Sequence, residues 1–171
     1  INDNNISGKS ESEIIDYLKS VIHEYDLILV SDFGHGFITD ELIRNIESFP
    51  IKLAVNAQTN GANSGYNLIT KYKNTNFICL DAPEARLATQ EKYAEIDYVA
   101  RKLLNDIDTD YLIITVGGDG SLCINREGEI NLTPAFATKV VDIIGAGDAF
   151  FSLSSLCFAK EMPMDLVSFF G

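Results

Sequence analysis

The sequence predicts an α/β fold with a mostly parallel sheet flanked by helices on both faces, and with an antiparallel hairpin late in the chain. Short, continuous apolar runs alternate with segments of helical period, which is typical of parallel strands buried on both sides. Two short apolar segments flank the turn residues 126–128, as in a β-hairpin. The 171 residues, 46% of them hydrophobic, contain no linker, so we expect a single domain over residues 1–171.

Local signals place the elements in order. Ser10, with Glu13 three residues later, matches a capping box for the first helix, Thr39 can cap the second, and Pro83 can open a third. The remaining predicted elements are strands at 27–30, 51–55, 77–80, 111–116 and 139–144, hairpin segments at 121–125 and 129–132, helices at 96–107 and 148–160, and a last helix after Pro163. In such folds ligands bind at the carboxyl ends of the strands.

Charge and cysteine content narrow the partners and the setting. With 13 basic and 25 acidic residues the net charge is −12, which disfavours nucleic acid and anionic membrane surfaces as partners. The chain shows neither a signal peptide nor an apolar run of the roughly 18 residues that a membrane helix needs. Cys79, Cys123 and Cys157 lie in apolar runs without metal-ligand spacing, which favours reduced core thiols and a cytoplasmic location.

The segment Gly145-Ala146-Gly147-Asp148 is the most informative motif. Two glycines at a strand-to-helix junction let backbone N–H groups converge at a helix N-terminus, where an anion such as phosphate is favoured. A carboxylate beside a phosphate needs a metal ion or a proton transfer to explain its position. The pairing therefore predicts phosphoryl transfer to a hydroxyl, in which a weakly basic carboxylate is sufficient. The alternative is that Asp148 merely caps the helix.

Two other interpretations of these glycines fail in detail. A dinucleotide-binding fingerprint would need a third glycine where Phe150 stands, and a Walker loop would need a lysine after its last glycine. The polar segment 56–60 and Lys71 could contact phosphate or a partner, but the composition is more typical of an ordinary loop.

The motifs resemble, in order, those of the PfkB, or ribokinase-like, carbohydrate kinases. Residues 142–150 resemble the C-terminal signature Asp-Thr-Thr-Gly-Ala-Gly-Asp-Ala-Phe of that family. The turn at 31–36 resembles that of the heptose-phosphate kinase domain in bifunctional ADP-heptose synthases. Residues 115–120 resemble the nucleotide loop, and 81–84 stand where the family usually has Asn-x-x-Glu. The resemblance covers nearly the whole chain, but only the C-terminal portion of a kinase.

This resemblance implies a role for each motif residue. Asp148 would be the catalytic base, and the N–H groups of Gly145, Ala146 and Gly147 would bind the γ-phosphate. The cofactors would be ATP and Mg²⁺: the nucleotide site would be formed by Thr115, Gly118, Gly120, Asp81 and Glu84. Glu84 would position the metal or its water shell. The alternatives are a solvated first-turn carboxylate for Glu84, and a tight turn before the hairpin for Gly118 and Gly120.

The resemblance also implies the activity of the whole protein. We expect an ATP-dependent kinase acting on a sugar or sugar phosphate, with a fused nucleotidyltransferase domain and a homodimer as further expectations. The sugar-recognising part would precede Ile1, so the 171-residue chain alone is expected to be inactive. The alternative is a catalytically silent nucleotide-binding or scaffold domain of the same fold.

Overall fold

A computed structural model describes residues 4–59, 64–136 and 145–171. Its sheet has six strands in the order β1-β2-β3-β4-β5-β6, with β1 to β4 parallel and β5 and β6 antiparallel to their neighbours. The strands are β1 Leu27–Asp32, β2 Lys52–Ala57, β3 Phe77–Asp81, β4 Tyr111–Thr115, β5 Ser121–Asn125 and β6 Ile130–Thr133. The helices are α1 Gly8–Val21, α2 Asp40–Glu47, α3 Ala82–Thr89, α4 Ile96–Asp106, α5 Ala146–Ala159 and α6 Met164–Phe170, and short 3-10 turns occupy Ile22–Glu24, Ile69–Lys71 and Gly117–Asp119.

The predicted mostly parallel sheet and its late hairpin are confirmed. The predicted cap of α1 is wrong by three residues: Ser7 is the N-cap, and its hydroxyl accepts from the backbone N–H of Ser10. Ser7 and Ser10 are both suitable capping residues, but the helix begins earlier than predicted, at Gly8, so that Ser7 occupies the N-cap position. Thr39 caps α2 as predicted. The strand predicted at 139–144 lies outside the described residues.

Helices cover both faces of the sheet because successive side chains of a strand point to opposite sides. Leu53, Val55 and Ala57 of β2 belong to the larger core, which they share with α1 to α4. Ala54 points the other way, into a second core formed with α5 and α6. That second core contains Phe77, Cys79, Ile113, Cys123, Phe151, Phe158 and Val167.

The parallel register brings the strand ends that matter for function to one edge. Asp32 of β1 pairs with Ala57 of β2, and Asp81 of β3 pairs with Thr115 of β4. Each of these residues is the last of its strand. The carboxyl ends of all four parallel strands therefore open toward the same side of the molecule.

The cysteines are free thiols, as the sequence predicts. Burial raises the pKa of Cys79 above its usual range and that of Cys123 to about 12. Within the described residues no helix is both long and apolar enough to cross a membrane.

The second core predicts a stability difference between two residues of α5. Phe151 is 1% exposed and stacks on Phe77 with ring centroids 6.5 Å apart, whereas Leu153 is 51% exposed. We expect Phe151→Ala to lower the free energy of unfolding by about 3 to 5 kcal/mol, and Leu153→Ala to lower it by less than about 1.5 kcal/mol. Urea denaturation of both variants measures the difference, and equal losses would contradict this assignment of the core.

The turn after β4 predicts a second contrast. Gly120 has a φ of +99°, and a Cβ there would overlap the carbonyl oxygen of Thr133 and lie 2.8 Å from the backbone nitrogen of Ala135. A Cβ on Gly118 would meet no atom of the described residues within 4 Å. Gly120→Ala should therefore destabilise the protein by at least about 2 kcal/mol, while Gly118→Ala should change stability by no more than about 0.5 kcal/mol. Thermal unfolding would refute this contrast if both variants behaved alike.

Candidate active site

A cavity of about 170 Å³ lies between the carboxyl ends of β2, β3 and β4 and the N-terminus of α5. Three chain segments that are distant in sequence meet there because the parallel strands end at one edge. The residues that line it are Asn56, Gln58, Cys79, Leu80, Asp81, Glu84, Thr115, Gly145, Gly147 and Asp148. Six of the nine residues that the sequence assigned to a site are among them, namely Asp81, Glu84, Thr115, Gly145, Gly147 and Asp148.

The N-terminus of α5 is built to face an anion. Gly145 is the N-cap with a φ of +79°, a conformation that glycine adopts without penalty. Ala146 is the first residue of the helix. The N–H groups of the first turn have no partners within the helix and carry the positive end of its dipole. A Cβ added to Gly145 or Gly147 would meet no atom of the described residues within 4 Å.

Asp148 lies in the first turn of α5 and is exposed to the cavity. Because Gly145 occupies the N-cap position, the interpretation of Asp148 as the helix cap is wrong. One carboxylate oxygen, Oδ1, accepts a hydrogen bond of 2.8 Å from the side-chain amide of Gln58. Asp148 is thus an accessible carboxylate in the first turn of a helix, where the positive end of the helix dipole favours anions.

Asp81 and Glu84 form a capping box at the start of α3. The Asp81 carboxylate accepts from the Glu84 N–H at 2.7 Å, and Glu84 Oε2 accepts from the Asp81 N–H at 3.1 Å. The other oxygen of Glu84 accepts from the backbone N–H of Thr59 at 3.1 Å. Glu84 lies in the first turn of α3, but the expectation of a solvated carboxylate is wrong, because the residue is only partly exposed and these contacts fix its carboxylate at the cavity.

Electrostatics around Glu84 favour a bound cation. Burial, followed by the charges of Asp81 and Asp148, raises the pKa of Glu84 to about 7, although the two backbone N–H bonds oppose the shift. These three carboxylates line one cavity and repel one another. A cation placed among them would relieve that repulsion and favour the ionised form of Glu84.

The oxygen atoms of the cavity fit Mg²⁺. Asn56 is 7% exposed, its amide nitrogen donates to the Cys79 carbonyl at 2.8 Å, and its buried Oδ1 has no hydrogen-bond partner among the described residues. Within the described residues no group of three or more His, Cys, Asp or Glu side chains forms a prebuilt metal site. Mg²⁺ usually binds through one or two carboxylates together with waters and substrate phosphates, and Asp81 and Glu84 supply two carboxylates at the cavity.

The residues of the predicted nucleotide loop differ in whether they line the cavity. Thr115 lines the cavity, and its hydroxyl donates to the Leu80 carbonyl at 3.4 Å. Gly118 and Gly120 follow it in the turn but do not line this cavity. For Gly120 the close approach of residues 133–135 explains the glycine structurally. The assignment of both glycines to a nucleotide site stays a prediction.

Sequence reasoning considered Asn56 and Gln58 as possible phosphate or partner contacts but favoured an ordinary loop, whereas both residues line the cavity. Their Asn-rich surroundings are typical of a loop, but Asn56 belongs to β2, and Gln58 directly follows that strand. The available signal was their position, since residues that end a parallel strand are the ones expected at a ligand site.

Comparisons with known proteins agree with this geometry. A model described as "pfkB family carbohydrate kinase" matches residues 66–171. "Bifunctional protein HldE" of Campylobacter curvus is 28% identical over 91% of this chain and 32% of its own length. The protein of the same name from Nitrobacter hamburgensis is 30% identical over 83% of this chain and 29% of its own length.

Solved structures show the same fold. Phosphofructokinase-2 from Escherichia coli, in complex with substrates and products, matches with a TM-score of 0.74 and 12% identity over 96% of this chain and 54% of its own. Ribokinase from Thermotoga maritima matches with a TM-score of 0.69 and 18% identity over 91% of this chain and 50% of its own. The chain thus spans about a third of those curated relatives and about half of these solved chains. Because the family model matches more than half of the chain, the protein belongs to the pfkB family of carbohydrate kinases, with the ribokinase-like fold that its sheet and helices form.

Proposed function

We propose that the protein containing this chain transfers the γ-phosphoryl group of ATP to a hydroxyl of a sugar or sugar phosphate. The observation that carries the proposal is the position of Asp148. Its carboxylate lies in the first turn of α5, beside N–H groups that have no partners within the helix, and it lines the same cavity as Asp81 and Glu84. Transfer of a phosphoryl group to a hydroxyl requires a group that accepts the hydroxyl proton next to a site that binds the phosphate.

Each part of the site has a separate task in this reaction. The N–H groups at Gly145, Ala146 and Gly147 bind the phosphoryl oxygens and stabilise their charge, which is the largest need of a loose transition state. Asp148 accepts the hydroxyl proton as the oxygen bonds to phosphorus and the bond to ADP breaks. Mg²⁺, when bound, neutralises phosphate charge and aligns the phosphates.

Glu84, Asp81 and Asn56 are the proposed residues that hold Mg²⁺ or its waters. These residues line the cavity together with Asp148, and Asn56 Oδ1 has no hydrogen-bond partner among the described residues. Thr115, Gly118 and Gly120 are the proposed nucleotide side of the site. Since the chain spans about half of its solved neighbours, we expect the 171 residues alone to show no sugar kinase turnover.

Replacement of Asp148 tests the proposed base. In the full-length protein, Asp148→Asn should lower kcat for sugar-dependent ADP formation by about 10²- to 10⁴-fold, because the amide cannot accept the proton. A coupled ADP assay with a panel of free and phosphorylated sugars measures it. Asp165→Asn, an exposed acid in the first turn of α6, is the matched control and should retain activity.

Two outcomes would reject this proposal. If Asp148→Asn turned over at the wild-type rate, Asp148 would not be the base. If the wild-type protein bound ATP but formed no ADP with any sugar, the silent nucleotide-binding domain would be the correct interpretation.

Replacement of Gly147 tests the anion site separately. A Cβ at this position would contact no atom of the described residues, but it would add bulk beside the proposed phosphate position at the start of α5. Gly147→Ala should therefore preserve or slightly raise thermal stability, since alanine favours a helix by up to about 1 kcal/mol over glycine. We expect a fall in kcat with no loss of folded protein, measured by the ADP assay and thermal unfolding in parallel. Unchanged turnover would show that the phosphoryl group does not occupy this space.

A further inference from the structure

We infer that Gln58 is a positioning residue for Asp148: its side-chain amide fixes the carboxylate so that one oxygen is directed to the acceptor hydroxyl. The inference rests on the proposed function, because it assigns a role within the same site. Gln58 Nε2 donates to Asp148 Oδ1 over 2.8 Å, although the two residues are 90 positions apart in the chain. The bond engages Oδ1 and leaves Oδ2 as the oxygen for the substrate.

The backbone of Gln58 is itself held on both sides. Its N–H donates to the carbonyl of Asp32 at 2.8 Å, which continues the pairing of β1 with β2 beyond the end of β2. Its carbonyl accepts from the side-chain amide of Asn67 at 3.0 Å, and the same amide donates to the Asp32 carbonyl at 2.8 Å. The backbone of Gln58 is thus held by the sheet and by Asn67, which fixes the position from which its side chain extends to Asp148.

A buried polar cluster supports this attachment. Asp32 is 2% exposed, and its Oδ2 accepts from the Tyr72 hydroxyl at 2.7 Å and pairs with Lys71 Nζ at 2.5 Å. Lys71 Nζ also donates to Asn67 Oδ1 at 2.6 Å. Burial and the nearby Asp32 charge raise the pKa of Tyr72 above its usual range, so the hydroxyl remains a donor. The cluster therefore keeps Asn67 in the orientation that holds Gln58.

The amide is suited to this task by its lack of charge. Among the described residues, the titratable groups that line the cavity with Asp148 are Glu84 of α3, Asp81 at the end of β3 and Cys79 of β3. The first two are carboxyl groups, and burial raises the pKa of the Cys79 thiol above its usual range. A glutamate at position 58 would join Asp81 and Glu84 as a third carboxylate that repels Asp148, and a lysine would neutralise the charge of the proposed base. Glutamine donates a hydrogen bond to the carboxylate and leaves its negative charge unpaired. Preorientation of a reacting group is worth about two orders of magnitude in rate when its loss displaces that group by about 1 Å.

Two variants of nearly equal size to glutamine test the inference in the full-length protein. Gln58→Met removes the donor, and we expect kcat to fall about 10- to 100-fold while KM for ATP changes less than about 2-fold. Gln58→Glu should be less active than Gln58→Met near pH 8, because the charged carboxylate repels Asp148. When protonated, the introduced carboxyl group regains an O–H donor, so the ratio of kcat in Gln58→Glu to kcat in Gln58→Met should rise as pH falls toward about 5.5.

The ratio between the two variants separates positioning from general damage to the fold. A merely structural role would lower both activities without making their ratio depend on pH. Gln90, exposed at the end of α3, offers matched Gln90→Met and Gln90→Glu controls, which should show wild-type kcat and no pH-dependent ratio. Wild-type kcat in Gln58→Met, or a constant ratio in the Gln58 pair, would overturn the inference.

A measurement without turnover distinguishes this inference from the proposed function. The side-chain amide signals of Gln58, identified in ¹H–¹⁵N spectra by their loss in Gln58→Met, should shift in Asp148→Asn and not in Asp165→Asn. If the signals shift in this way but the wild-type protein shows no kinase activity, the proposed function is rejected while the contact between Gln58 and Asp148 is retained. No shift would overturn the role of Gln58 whatever the activity.

Discussion

The site depends on one geometric constraint, the parallel alignment of β1 to β4. Parallel strands end at the same edge, so the register of β3 with β4 pairs Asp81 with Thr115, and the register of β2 with β3 brings Asn56 and Gln58 to the cavity that Glu84 also lines. The second core then fixes α5 on the face of the sheet that is opposite the larger core, where Phe151 packs on Phe77. The helix N-terminus can face the strand ends only because its other side is anchored in this way.

Charge agrees with the proposed binding of phosphate through the backbone. The net charge of −12 opposes the approach of a polyanion, and three carboxylates line the cavity. The first-turn N–H groups of α5, which have no partners within the helix, supply positive potential beside them. The pKa of Glu84 is raised first by burial and then by the charges of Asp81 and Asp148, and a divalent cation would relieve that repulsion.

The sequence was sufficient for features that depend on local chemistry. The alternation of apolar runs and helical stripes predicted the sheet and its hairpin, and Thr39 caps α2 as expected. The Gly-Ala-Gly-Asp motif identified the helix end because its glycines and carboxylate lie within four consecutive residues. The misplaced cap at Ser10 shows the limit of such signals, since Ser7 has the same chemistry and occupies the helix start.

Features that depend on distant contacts could not be predicted in this way. The bond from Gln58 to Asp148 joins residues on different elements, and the buried Oδ1 of Asn56 becomes visible only when the strands are packed. Likewise, Gly118 and Gly120 look equivalent in the motif, yet only Gly120 is enclosed by residues 133–135. Motifs within one segment could be identified from the sequence, whereas contacts between residues of distant segments could be identified only from the folded structure.

The most direct test of the account is a crystal structure of the full-length protein with Mg²⁺ and a non-hydrolysable ATP analogue. The account predicts γ-phosphate oxygens within hydrogen-bonding distance, about 2.7 to 3.2 Å, of the N–H groups at the start of α5. It also predicts Mg²⁺ between the phosphates and Glu84. Phosphates bound elsewhere, for example in the cavity of about 470 Å³ at the opposite ends of the strands near Lys52 and Arg126, would contradict it.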